Sequence, residues 1–297
     1  MLKKSAQLTG HNASIYALSY AAGQKDFLSA AGDGWIVKWN LEEPDIGQVI
    51  AKVGTQVFSL FFLKNENIAI AGDMNGGLHW VNLNDPGKTK NIAHHEKGVF
   101  EIIKVGSHIF TAGGGGRLTR WSIGECRALE TYHLANQSLR SVVFSEKRNE
   151  LAVGASDNSI YFLDATTLEL KSKIENAHQN SVFSLAYSPD GKHLLSGGRD
   201  AYLNIWEIEN NCKKTASNPA HWFTINDIVF HPGGHLFATA SRDKTIKIWD
   251  AKNFELIKVL EGARDGGHFN SVNKLLWHPH ENTLISCSDD RTIVLWK

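Results

Sequence analysis

Several things are scarce in this chain, and each scarcity closes a door. Among its 297 residues there are only three cysteines (Cys126, Cys212, Cys287), an odd number at no metal-like spacing. A disulfide framework and a zinc site are therefore not expected, and the thiols read as unpaired in a reducing, cytoplasmic compartment. An excess of one charge is missing too: Lys+Arg and Asp+Glu both number 31. A dedicated duplex nucleic-acid binder would carry a clear basic surplus, so that class is set aside. No apolar stretch approaches bilayer-spanning length, and residues 1–7 lack the apolar stretch of a secretory leader, so no membrane partner is expected. Proline occurs 6 times against 26 glycines, a balance that suits many tight turns between short strands. A hydrophobic content of 42% is ordinary for a globular protein and argues against disorder.

What is present is a repeat. Residues 194–206 and 237–249 read alike, with Ser196-Gly197-Gly198-Arg199-Asp200 set against Thr239-Ala240-Ser241-Arg242-Asp243. Residues 284–296 and 27–39 repeat the pattern. In each, a short β-prone run turns at Gly, Asp or Asn, then alternates apolar and polar up to a tryptophan. Period two on both sides of a tight turn is a hairpin. Weaker copies end at Val81, Trp121 and Leu163, so seven landmarks lie 40 to 47 residues apart. That is the period of a β-propeller. Between Trp206 and Trp249 the four expected strands are an outer one near residues 212–216, an inner one at Ile225–Phe230, and a hairpin at residues 236–241 and 245–249. The seventh unit ends at Trp296 with no outer strand of its own, while a spare strand at Lys4–Leu8 precedes the first inner strand, Ile15–Tyr20. The expected fold is all-β: one domain over residues 1–297, a seven-bladed propeller of four-stranded antiparallel blades, with the N-terminal strand closing the last blade and removing the open edges.

Four units carry a polar set whose Trp follows its His by 28 positions: His11, Ser29, Asp33, Trp39; His178, Ser196, Asp200, Trp206; His221, Thr239, Asp243, Trp249; and His268, Ser286, Asp290, Trp296. In this the chain resembles the WD-repeat propellers, strongly in those four units and weakly in the second to fourth. The resemblance implies a hydrogen-bonded series in which indole N–H meets hydroxyl, hydroxyl meets imidazole and imidazole meets carboxylate. A Ser-His-Asp hydrolase is the competing reading, but four copies at a fixed period mark a scaffold device, whereas catalysis needs one constellation with an oxyanion hole. In the third unit His94 or His95 joins Thr111 and Trp121, with Gly115 where Asp belongs. The fourth keeps Asp157 beside Val153 and Leu163, and the second offers only Asn75. The second to fourth blades are accordingly expected to be the softer side of the ring.

Other signals have plain readings. Gly113-Gly114-Gly115-Gly116 has no following Lys-Ser/Thr and falls at a hairpin turn, so it is not a phosphate loop. His231-Pro232-Gly233-Gly234-His235 and His278-Pro279-His280 occupy the turns of separate blades, and adjacent His94 and His95 on extended backbone would point to opposite faces. No metal and no cofactor are assigned.

The resemblance also implies where partners bind: on the face where the chain passes from outer to inner strand. Two positions per blade matter there, the residue after the first apolar residue of the inner strand and the residue before the tetrad Asp. The first set is Tyr16, Phe58, Phe100, Arg140, Phe183, Asn226 and Asn273. The second is Gly32, Met74, Gly114, Ser156, Arg199, Arg242 and Asp289. From these, Tyr16, Phe58, Met74, Phe100, Arg140, Phe183, Arg199, Arg242 and Asp289, with Trp222 from a loop of the same face, form the candidate partner site. Residues 263–267, which lengthen the last repeat, lie on that face too. Aromatics and Arg are the usual interface anchors, although the aromatics would also serve to plug the channel. The expected function is a non-catalytic scaffold for a peptide or protein partner bearing carboxylates or phosphates. An enzyme at the channel mouth would want convergent carboxylates or histidines, of which these positions offer only Asp289, and a single-stranded RNA binder stacking on the aromatics finds no support in the net charge.

Overall fold

In the computed structural model, which describes residues 2–210 and 212–297, every strand belongs to one of seven four-stranded sheets. Met1 and Asn211 lie outside the described residues. Within each of the first six sheets the strands run antiparallel in sequence order, as in Ile15–Tyr20, Asp26–Ala31, Trp35–Asn40 and Gln48–Lys52 of the first blade. The inner strands Ile15–Tyr20, Val57–Leu63, Val99–Val105, Leu139–Ser145, Val182–Tyr187, Ile225–Phe230 and Val272–His278 each pack against the next, and the last packs against the first. This is a closed seven-bladed propeller.

Closure comes from the N-terminal strand. Lys4–Leu8 pairs antiparallel with Ile293–Trp296, matching Leu8 to Ile293 and Lys4 to Trp296. Backbone bonds between Lys3 and Lys297 extend the ladder in both directions. The seventh blade is thus built from both ends of the repeat array, which leaves the ring no unpaired seam.

Burial follows position in the blade. The second strands have a blade on either face and are almost wholly buried, as in Glu150–Ala155 and Thr283–Ser288. The outer strands Arg127–His133 and Leu170–Ile174 are almost wholly exposed. The apolar core is a series of clusters between neighbouring blades; Leu8, Ile15, Phe27, Trp39 and Leu295 form the one that joins the seventh blade to the first. The sequence period and the blade are offset by one strand. The strand expected near residues 212–216 runs over Lys213–Pro219 and is the outer strand of the fifth blade, while Ile225–Phe230 opens the sixth. It continues three residues beyond expectation because an edge strand can end in a proline that donates no ladder bond.

One backbone feature recurs seven times. The third residue of each central hairpin turn has positive φ: Gly34, Gly76, Gly116, Asn158, Ala201, Lys244 and Arg291. At Gly116 a Cβ would lie 1.7 Å from the Ala135 carbonyl oxygen, so this turn admits only glycine, and the Gly113–Gly116 run is the hairpin turn it was expected to be.

Removing residues 1–8 strips the seventh blade of its outer strand and uncovers the Ile293–Trp296 edge. The shortened protein should aggregate or lose a large part of its melting temperature. A monomer that melts like the full chain would show that the pairing is dispensable.

Candidate functional site

The four polar sets are continuous hydrogen-bond series. The Trp39 indole donates to Ser29 Oγ at 2.8 Å, Ser29 lies 2.7 Å from His11 Nε2, and His11 Nδ1 sits 3.1 Å from Asp33 Oδ2. The sets ending in Trp206, Trp249 and Trp296 have the same order, with imidazole–carboxylate distances of 2.8 to 3.0 Å. Each carboxylate does a second job. Asp33, Asp200, Asp243 and Asp290 also accept from the backbone N–H of the residue after the histidine, which is Asn12, Gln179, Trp222 or Phe269, at 2.8 to 3.0 Å. The series therefore ties the loop leading into the inner strand to the hairpin turn beside it. Burial alone would raise the Asp243 carboxyl, but the bonds from His221, Thr245 and the Trp222 amide outweigh it and hold it well below the ordinary range. Burial likewise keeps His11 and His221 below their usual pKa despite the neighbouring carboxylates.

The other three blades solve the same problem differently. In the third, His95 rather than His94 enters the series, 2.8 Å from Thr111, which accepts from the Trp121 indole. With Gly115 in the acid's place, His95 Nδ1 is buried without a partner. The expectation that His94 and His95 face apart does not hold: their rings meet edge to face at 5.2 Å, because both lie in the loop before the inner strand and not on extended strand backbone. In the fourth blade Asp157 accepts from Tyr161 and from the Ser159 amide. In the second, Asn75 is not the only polar resource, as the sequence reading had it. Asp73 binds the Asn75 and Gly77 amides at 2.8 Å and His79 Nε2 at 2.8 Å, so a carboxylate two residues earlier fixes the turn.

Above these series lies the channel mouth. Every inner strand carries a β-bulge after its first residue, so that Tyr16, Phe58, Phe100, Arg140, Phe183, Asn226 and Asn273 have no partner in the ladder. A bulge re-aims the extra side chain, and all seven line one central cavity of about 440 Å³. Five of them form an arc. Tyr16 meets Phe58 edge-on at 5.1 Å and Phe58 stacks on Phe100 at 5.7 Å. The Arg140 guanidinium lies 4.2 Å from the Phe100 ring centre and 5.0 Å from that of Phe183. Burial, with Arg199 nearby, lowers the pKa of Arg140. The remaining two are polar: Asn226 bonds Ser271 and the Val272 carbonyl, while Asn273 bonds the Ile15 carbonyl and Asp289.

The second set of positions adjoins the first. The backbone N–H of Gly32, Met74, Gly114, Ser156, Arg199, Arg242 and Asp289 bonds in every blade to the carbonyl of the residue just before the inner strand. Met74, Arg199 and Arg242 are exposed, whereas Asp289 is engaged by Asn273. Trp222 is exposed as well.

Two groups of residues escaped the sequence reading. One is a charged triad deeper in the channel, on the residue following each bulge: Lys274 Nζ lies 3.1 Å from Glu101 and 3.3 Å from Asp227. These come from the seventh, third and sixth blades, so the Lys274–Glu101 pair crosses the channel. Burial raises both carboxyls; it would lower Lys274, but Asp227 and Glu101 together keep that ammonium charged. Convergent carboxylates are thus present beyond Asp289, though both are bound to the lysine. The other group is Phe223 and Phe269, exposed aromatics beside Trp222 and on the equivalent loop of the seventh blade.

The first histidine of each histidine-rich turn, His231 and His278, is buried and not on the surface. His231 accepts from the Gly233 amide and lies edge-on to Trp277, while His278 accepts from the His280 amide.

Asp243→Ala removes the carboxylate that joins His221 to the Trp222 amide and should cost roughly 1–3 kcal/mol of stability. Denaturant unfolding measures the loss; unchanged unfolding would show the series to be ornamental. Gly115→Asp is the converse. A Cβ at Gly115 would lie 3.5 Å from the Glu96 carboxylate, which is paired with Arg117, so the missing acid fits there sterically, and its bond to His95 should bring a net gain of up to about 1 kcal/mol. Burial, His94 and Arg117 push the His95 pKa down from 6.5 to about 4. Between those two pH values the unfolded chain binds the proton and the folded chain does not, so stability declines as pH falls through that window. The restored carboxylate favours the imidazolium, so the gain from Gly115→Asp should be larger at the acid end of the window than at neutral pH. Equal gains at both would separate His95 from the effect.

Comparison with known proteins agrees with this geometry. The model of the WD domain, G-beta repeat, matches residues 2–40, 170–207, 211–250 and 255–297, which together exceed half of the chain and include the four complete polar sets. WD repeat-containing protein 90 of Xenopus tropicalis is 29% identical over 148 residues, covering 46% of this chain and 8% of that protein. The THO complex subunit 6 homolog of Danio rerio is 27% identical over 132 residues, 41% of this chain and 40% of its own length. The chain spans well under half of either relative. The WD40 β-propeller domain of Doa1 superposes over 100% of this chain and 97% of its own with a TM-score of 0.87 at 17% identity, a likeness of fold. With its matching repeats, its seven closed blades and its four Trp-to-Asp series, the chain belongs to the WD40 repeat family.

Proposed function

We propose that this protein is a non-catalytic interaction scaffold that holds a peptide or protein partner on the face carrying the loops that lead into the inner strands. The observation that supports this most is the mouth arc Tyr16–Phe58–Phe100–Arg140–Phe183, in which aromatic rings and a guanidinium are pre-stacked at equivalent positions of five successive blades. Rigid aromatic and Arg side chains at a concave mouth are the usual anchors of an interface. Arg199 and Arg242 stand on the adjoining turns and suit carboxylates or phosphates on the partner. Catalysis is disfavoured because Glu101 and Asp227 are held by Lys274, which leaves neither as a free base. The three cysteines are free and Cys287 is buried with its thiol pushed up, in keeping with work in a reducing compartment such as the cytoplasm.

The test is affinity capture with variants. Phe58→Ala with Phe100→Ala should weaken partner binding by well over tenfold, since anchors of this kind are worth about 2 kcal/mol or more each. Arg199→Glu with Arg242→Glu should weaken it further and reduce its sensitivity to salt. Lys64→Glu with Lys192→Glu, exposed on the opposite face, serves as the control. Partners that survive the mouth changes and are lost with the control would place the site on the other face.

A further inference from the structure

The largest exposed aromatic groups are not at the mouth but beside it. Trp222 is 86% exposed, Phe223 58% and Phe269 66%. All three occupy the two places after the tetrad histidine, in the sixth and seventh blades only. At the same places the other blades carry small or polar residues, Asn12 with Ala13 and Gln179 with Asn180 among them. Exposed rings of this size on floppy loops would be an aggregation hazard; these loops are held. The Trp222 and Phe269 amides each donate to a tetrad carboxylate at 3.0 Å, and Asn226, on the inner strand of the sixth blade, donates to Ser271 in the loop of the seventh. Phe269 also lies against Gly262, where a Cβ would come within 3.2 Å of its ring. The rings are therefore presented at little ordering cost on binding.

The exposed charges on the neighbouring hairpin turns are cationic, while the carboxylates of those turns are less exposed. Arg242, Lys244 and Arg291 are exposed on the hairpin turns beside these loops. The nearby carboxylates keep their charge but have partners within the protein: Asp243 and Asp290 bond histidines, Asp289 bonds Asn273, Asp265 pairs with Arg264 and Lys258, and Glu261 lies 3.8 Å from Arg264. Among the most exposed groups of the rim are Arg242, Lys244 and Arg291 and the three aromatic rings.

We infer that the rim of the sixth and seventh blades is a second contact surface, which takes an acidic segment bearing large apolar side chains from the same partner that meets the mouth. This rests on the scaffold reading above and adds the partner's chemistry. The apolar side chains cover Trp222, Phe223 and Phe269, while the carboxylates between them meet Arg242, Lys244 and Arg291.

Two labelled synthetic peptides test it by fluorescence anisotropy. Both carry Leu and Phe at the same positions; one has Glu between them, the other Lys. The Glu peptide should bind and weaken as salt rises, and the Lys peptide should not bind. Trp222→Ser with Phe269→Ser should cut affinity for the Glu peptide by about tenfold or more with unchanged melting. Arg242→Glu with Lys244→Glu should invert the preference, so that the Lys peptide binds. That outcome cannot come from a merely structural effect. Failure of the Glu peptide to bind, or binding of both peptides alike, overturns the inference. If binding survives the rim changes but is lost with Phe58→Ala and Phe100→Ala, the rim assignment fails and the mouth reading stands; if it survives both pairs, both fail. A wild-type dimer that Trp222→Ser dissociates would make a second copy of the chain the occupant, and would likewise overturn it.

Discussion

In each blade the inner strand carries one residue more than the strand beside it, and the channel mouth depends on that surplus. A regular ladder would alternate side chains between the two faces of the blade, both of which are occupied by neighbouring blades. The bulge breaks the alternation at one point and turns the extra side chain, with the one after it, toward the axis. Two tiers result. The outer carries Tyr16, Phe58, Phe100, Arg140 and Phe183; the inner carries Glu101, Asp227 and Lys274 among small residues. Because the bulged residue makes no ladder pair, its identity is free to vary without cost to the blade. That is why seven structurally equivalent positions hold four aromatics, one arginine and two asparagines.

The hydrogen-bond series from tryptophan to aspartate has the complementary role. It lies between the outer part of the blade and the loops at the mouth, so it converts packing in the core into rigidity at the surface. Where it is complete, the loop after the histidine is pinned through its own amide. The second and fourth blades keep the carboxylate end, through Asp73 and Asp157, while giving up the buried end to Ala71 and Val81 or to Val153 and Leu163. The part retained is the one that fixes the turn. The third blade does the reverse, holding the buried end and losing the acid, and this leaves His95 half satisfied.

The strand order, the closing role of Lys4–Leu8 and the bounds of Ile15–Tyr20 and Ile225–Phe230 were all legible in the sequence, because each rests on short-range alternation repeated at a long period. Asp73 was not. It performs the task of the periodic position from two residues away, and a search at fixed offset reports only Asn75. The Glu101–Asp227–Lys274 triad was hidden for another reason. Its members lie 47 and 126 residues apart in the chain, and their convergence on the axis requires both the ring and the bulge that turns two successive side chains the same way. Phe223 and Phe269 were in plain view, but they follow histidines whose own pattern drew the reading, and their exposure is visible only once the loops are folded.

Under the scaffold reading proposed above, the triad accounts for contact at the surface of this face and not within the channel. Lys274 reaches Glu101 across the axis and Asp227 on the adjoining blade, so the lower channel is filled by ions already matched to one another. Removing two carboxylates and an ammonium from water is costly, and their mutual attraction offsets that cost only while all three stay together. A ligand that drew on either carboxylate would have to break the set and leave a charge unpaired in the channel. The mouth imposes no such condition, since Tyr16, Phe58 and Phe100 offer ring faces and edges that a partner can cover without displacing a hydrogen bond. Specific binding is favoured where water can be expelled from apolar surface at no polar loss. The proposed contact surfaces, the aromatic arc and the rim beside it, are places of that kind.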